Sequence, residues 1–291
     1  MRITIINLTK KQVKEHSNIC EEVLRQFPEL ERYYETILVA LVDDLSISIF
    51  KKRVGEILGV ANQDVPMPSR VSSAFAKGGQ GVLTVRVDMF GAKSLDLRDF
   101  IVHEECCHLI DYEGDSKPKS NTFWQMWERY KLSKRPDFGE RIMRELSMHF
   151  NHFNVNRLLA KHDLKQWLSL KKDYYGMKHR SKFDDFCKSI ESKYDGLETL
   201  TIILAEMIKV ISFLSALLSI QPENLCSTQR EMMSEMDSSI RNTISIMESH
   251  AKAIHYKMPP ILSWFNPKEF GDEDTFFFRV NELWNLLDLL T

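Results

Sequence analysis

Between Val82 and Met89 apolar and polar positions alternate. Leu83, Val85, Val87 and Met89 fall on one side of an extended chain, and Val82, Thr84, Arg86 and Asp88 on the other. A period of two predicts a half-buried β-strand. Arg2 to Leu8 reads as a second, shorter strand. Most of the remaining pattern is helical. Thr9 is placed to cap a helix over Lys10–Gln26, and Pro28 opens a helix predicted to continue through Leu41. Residues 61–80 are rich in Pro, Ser, Gly and Ala, the chemistry of a loop. Ser94 caps a helix from Leu95 to about Tyr112, with Asp96 in the first turn where the helix dipole favours negative charge. Gly114 and Pro118 end it. Helices over Phe123–Tyr130 and Gly139–His162 follow. The rest reads as helix broken near Gly176, Gly196, Pro222, Pro259-Pro260 and Pro267.

Strands confined to the first part of the chain and helices throughout predict an α+β, mostly helical protein. The length of 291 residues suggests one large or two small domains. The loss of strand signals places a boundary near residue 165, giving domains 1–165 and 166–291. One stretch, Leu200–Ile220, is apolar enough to raise the question of a membrane. It holds Glu206 and Lys209, which are costly at a bilayer centre but can pair on one helix face. A buried helix of a bundle is the expectation, with a membrane-seeking segment as the alternative. Met207, Met232, Met233, Met236 and Met247 read as bundle core. The acidic-aromatic run 272–278 reads as a solvated turn before a buried helix start.

Charge narrows the partners. A net charge of -2 and a pI near 6.5 leave no basic footprint for a phosphate backbone, so nucleic acid is not expected. Five cysteines, odd in number and scattered, fit a reducing compartment, and the N-terminus lacks a signal-peptide core. A cytoplasmic location is the expectation. A protein partner could dock on the C-terminal helices.

The chemistry concentrates on the helix that carries His103-Glu104-Glu105-Cys106-Cys107-His108. Two histidines with a glutamate directly after the first are what a zinc hydrolase uses. The imidazoles hold the metal, and the glutamate takes a proton from the water it activates. Here the histidines lie five apart, about 140° round an ideal helix, so they share a metal only if the turn is widened by a π-bulge.

These residues resemble the zincin active-site helix with one residue inserted. The histidine, glutamate, three residues, histidine pattern is the hallmark of the dipeptidyl peptidase III family. The overall resemblance is closer to small prokaryotic zincins, in which an edge strand precedes the active-site helix and a later helix supplies the third ligand. It covers about residues 80–160. It implies a zincin-like metallopeptidase domain over 1–165, with a small sheet and an active-site helix, followed by a helical bundle over 166–291. It implies Zn2+ as cofactor and a peptide or protein as substrate. His103, His108 and His152 would be the metal ligands and Glu104 the general base, with Glu105 as the alternative base. His152 stands at the family's ligand glutamate, Val155 at its alanine and Asn156 at its Asp or Asn. Glu145 and His149 are rival third ligands, since the 4-3-4 spacing puts Glu145, His149, His152 and Asn156 on one helix face. Asp111 could orient a ligand imidazole. Val82–Met89 would be the strand that pairs with an extended substrate.

Other readings stand beside this one. His103 and His108 could be ordinary core or surface histidines. On an undistorted helix, Glu104 with His108, or His103 with Cys107, could bind metal, being four apart. Cys106 and Cys107 read as core filler. The rival functional expectation is a catalytically inactive zincin-like or helical interaction protein, with at most a structural metal.

Overall fold

A computed structural model describes residues 1–11, 13–66, 71–113, 152, 154–175, 180–220, 223, 225–254, 278 and 282. The chain divides into two compact units, Met1–Ser116 and Lys117–Thr291. The described residues are mostly helical, with one small mixed sheet among them.

The first unit is built on that four-stranded sheet, in the order β1 (Arg2–Asn7), β2 (Thr36–Val42), β4 (Gln80–Arg86), β3 (Ser72–Lys77). β1, β2 and β4 run parallel, and β3 returns antiparallel to β4. Between Lys77 and Gln80 the turn is Gly78-Gly79, both with positive φ (59° and 75°). Two such residues give a turn whose twist matches the flanking strands, and glycine adopts it without steric cost.

The predicted helix from Pro28 to Leu41 is instead a single helical turn, α2 (Leu30–Tyr33), followed by β2. The physical reason lies in the run Thr36-Ile37-Leu38-Val39-Ala40-Leu41-Val42. A central parallel strand is covered on both faces, so its apolar residues form a continuous run without alternation. Ile37 through Val42 are all buried. The predicted Val82–Met89 strand starts earlier and ends at Arg86. There Arg86 binds Asp44 at 2.5 Å and Asp88 at 2.9 Å, and the chain turns into α4 (Val87–Phe90). β4 is also not half-buried, as its residues from Gly81 to Val85 have no exposed member.

Helices cover both faces. Leu38, Ala40, Val42, Phe75 and Val82 form one core with Phe50 and Val54 of α3 (Ile47–Leu58). On the other face lies α5 (Leu95–Glu113), which packs on β3 and beside α1 (Lys14–Leu24) and α2. Gly81 lets α5 approach. A Cβ there would lie 3.2 Å from Ile37 Cγ1 and 3.4 Å from Leu109 Cδ2. α1 is shorter than predicted. Thr9 bonds Asn7 Oδ1 through both its N–H (3.0 Å) and its hydroxyl (2.9 Å), which makes it a turn residue rather than a cap.

The described part of the second unit is helical: α6 (154–162), α7 (Leu164–Tyr175), α8 (Arg180–Glu191), α9 (Gly196–Leu218) and α10 (Ser227–Ile254). α7, α8 and α9 all pack on α10. Asp195 caps α9 by accepting from the Glu198 N–H at 2.9 Å. α9 is the one helix among the described residues long and apolar enough to cross a membrane, and most of its length is buried. Glu206 and Lys209 pair on its surface at 3.1 Å, as their spacing predicts. Met207, Met236 and Met247 are buried core, whereas Met232 and Met233 are half-exposed. The predicted helices over 123–130 and 139–151, and all of the run 272–278 but Phe278, lie outside the described residues.

Candidate metal centre

α5 is unusual for a surface helix because burial surrounds most of it. Phe100, Val102, His103, Glu105, Cys106, Cys107, Leu109 and Ile110 are all buried. Beyond its first turn, from Phe100 to Asp111, only a narrow stripe through Ile101, Glu104, His108 and Asp111 is half-open. The spacing of three, four and three keeps these residues on one face. The sheet and neighbouring helices anchor the rest. Tyr34, itself buried, donates its hydroxyl to the Leu109 carbonyl at 2.7 Å. Ser72 of β3 donates to Glu105 Oε1 at 2.6 Å. The carboxylate considered as an alternative base is thus turned inward, toward the sheet.

His103 is held away from this stripe. Residues 95–113 form an uninterrupted α-helix, so the widened turn that would bring His103 over His108 is absent. Its Nδ1 lies 2.9 Å from the Asp99 carbonyl oxygen and its Nε2 3.3 Å from Gln26 Oε1. Its ring meets Phe27 edge-on, with centroids 5.4 Å apart. At 6% exposure it is a packed, hydrogen-bonded core histidine.

Glu104 takes the place predicted for His103. Glu104, His108 and His152 each offer one ligand atom to a possible metal. All three are half-buried, held by the protein yet within reach of solvent. They form a His/Glu group that could bind a metal. Glu104 and His108 are four apart, the spacing that an undistorted helix stacks on one face. The predicted base therefore stands among the candidate ligands.

His152 sits just before α6, whose Val155, Asn156, Leu159 and Ala160 are buried. The Asn156 side chain donates to the His152 carbonyl at 2.7 Å and reaches Ser212 Oγ of α9 at 3.5 Å. It thereby ties the backbone that carries the imidazole to the apolar helix. The rival ligands Glu145 and His149 lie outside the described residues.

Cys106 and Cys107 are the core filler predicted. Burial first, then the neighbouring thiol and carboxylates, push the Cys106 thiol well above its usual range. Burial and the nearby Glu104, Glu29 and Asp111 do the same for Cys107. No cysteine is in a disulfide.

The edge-strand expectation is corrected by the sheet order. β4 lies between β2 and β3, so both its backbone edges are occupied, and β3 is the edge strand on this side. A further cluster had no local signal in the sequence: His250 of α10 contacts Asp184 and Glu191 of α8. No protein-family model matches the chain, and neither does any curated protein or solved structure, so the site's own geometry carries the functional argument.

Proposed function

We propose that this protein is a metal-dependent hydrolase whose divalent ion is held by Glu104, His108 and His152. The observation that carries the reading is the stacking of Glu104 and His108 on the half-open stripe of the unbroken helix α5, with His152 as the further member of the His/Glu group. Two imidazoles and one carboxylate are a donor set of catalytic zinc, which keeps a further position open. The same set also suits ferrous iron, so metal identity is part of the test. When bound, zinc would polarise a substrate carbonyl and make a water acidic enough to attack it. A peptide is the substrate the resemblance implies.

The residues divide the remaining work. His108 and His152 would hold the ion through ring nitrogens and Glu104 through a carboxylate oxygen. Asp111 shares the open stripe of α5 one turn beyond His108. It is the carboxylate left to orient that imidazole or to accept a proton. One observation favours the second reading, a structural metal without turnover: with Glu104 serving as a ligand, the base directly beside the metal is gone.

Elemental analysis of the purified chain tests the proposal, with wild type beside Glu104→Ala, His108→Ala, His152→Ala and His103→Ala. About one zinc per chain is expected, lost in the first three variants and kept in His103→Ala. Peptide hydrolysis by the zinc-loaded wild type separates the catalytic from the structural reading. No metal after zinc is supplied, or metal lost only in His103→Ala, overturns the assignment.

A further inference from the structure

α8 is a short amphipathic helix with a modest apolar anchor. Of its twelve residues, Phe183 and Cys187 are buried, with Phe186 and Ile190 half-buried. Between Phe183 and Glu191 its inward face also carries charge. Asp184 and Glu191 are seven apart, two turns along one side of the helix. His250 of α10 lies between them. Its Nε2 is 2.8 Å from Asp184 Oδ1 and its Nδ1 2.5 Å from Glu191 Oε1. The imidazole is only 16% exposed.

Proton counting decides the state of this group. A neutral imidazole has one N–H and one lone pair, and an ionised carboxylate only accepts. Two carboxylates, one at each ring nitrogen, require two N–H donors, which only the imidazolium has. We propose that α8 is docked on α10 by a proton, with His250 imidazolium bridging Asp184 and Glu191, and that loss of this proton as pH rises loosens α8. The device is independent of the metal site.

The surrounding charges agree with the sign. On α8, Lys188 pairs with Asp184, and Asp185 lies beside it. On α10, Lys252 pairs with Glu248 at 2.6 Å. On α9, Glu206 and Lys209 pair with each other. α7 carries Lys165 among its described side chains. The other ion pairs largely cancel, leaving the two carboxylates as the dominant field at His250. Burial lowers the pKa of His250, but the hydrogen bonds and charges of Asp184 and Glu191 outweigh it and raise it above the ordinary value. A histidine whose pKa is raised by folding contributes its full stabilisation below the unfolded value of about 6.5, and loses it as pH climbs through the folded value.

Amide hydrogen exchange on the full chain tests this from about pH 5 to about pH 9, the range that brackets histidine titration. Rates are corrected for intrinsic exchange, with α9 as internal reference. Protection of α8 is expected to fall several-fold while the His250 ring resonance titrates, and α9 is expected to hold. His250→Arg keeps the charge at all these pH values and should make α8 protection independent of pH. His250→Gln should leave α8 weakly protected throughout. If that variant does not fold, Glu191→Gln supplies the same test by removing one arm and lowering the His250 titration. Flat α8 protection in wild type, or a pH dependence that survives in His250→Arg, overturns the proposal.

Discussion

Gly81→Ala tests how closely α5 is seated on the sheet. The added Cβ would meet Ile37 Cγ1 at 3.2 Å and the two methyls of Leu109 at 3.4 and 3.5 Å. Both neighbours are fully buried, so neither can swing into solvent. Overpacking of this kind costs about 1–3 kcal/mol. Replacing a strand glycine returns about 0.5–1 kcal/mol of backbone entropy. The net is a destabilisation of up to about 2.5 kcal/mol. At about 4 °C per kcal/mol for a unit of this size, Tm should fall by up to about 10 °C. Thermal unfolding followed by circular dichroism reads the shift, and Gly81→Val should lower it further. A Tm above wild type for Gly81→Ala, or a Tm unchanged in Gly81→Val, would refute the seating of Leu109 against β4, and with it the placement of the Glu104 and His108 stripe.

Three other substitutions or assays probe the same region. Tyr34→Phe removes the buried hydroxyl bond to Leu109 and should cost about 1–2 kcal/mol in denaturant unfolding. His103→Ala should lower stability by about 2–3 kcal/mol, through its lost packing and hydrogen bonds, while metal stoichiometry stays unchanged. Native protein should react with a thiol reagent at one fast site, the exposed Cys226. Cys20 and Cys187, buried and with pKa values pushed up to about 12, should react with Cys106 and Cys107 only on unfolding.

Legibility followed the physics of each element. The α5 helix was readable to within a residue because a polar cap begins it and a glycine follows it. β2 was misread because a strand covered on both faces shows no alternation, and six apolar residues in a row look the same in a buried helix. The hairpin hid in a stretch whose glycines read as loop, although Gly78-Gly79 between Ala74-Phe75-Ala76 and Val82-Leu83 is itself a turn signal. At the candidate site the helix was located correctly, but the choice of ligands turned on register. A straight helix stacks Glu104 with His108, whereas the family resemblance favoured His103, which needed a distortion the fold does not supply. The His250 clamp joins residues 59 and 66 positions apart, and no short-range pattern announces such a pair.

α9 has a consequence for how the chain is made. Its apolar surface is covered largely by α10, which follows it in sequence. The ribosome must add 36 residues, from Leu218 to Ile254, before that cover is complete. At roughly 5–20 residues per second this takes about 2–7 seconds. Throughout that interval a stretch with the composition of a membrane span lacks the cover that α10 supplies. Premature termination just after Leu218 should therefore yield a product that aggregates or is captured by chaperones.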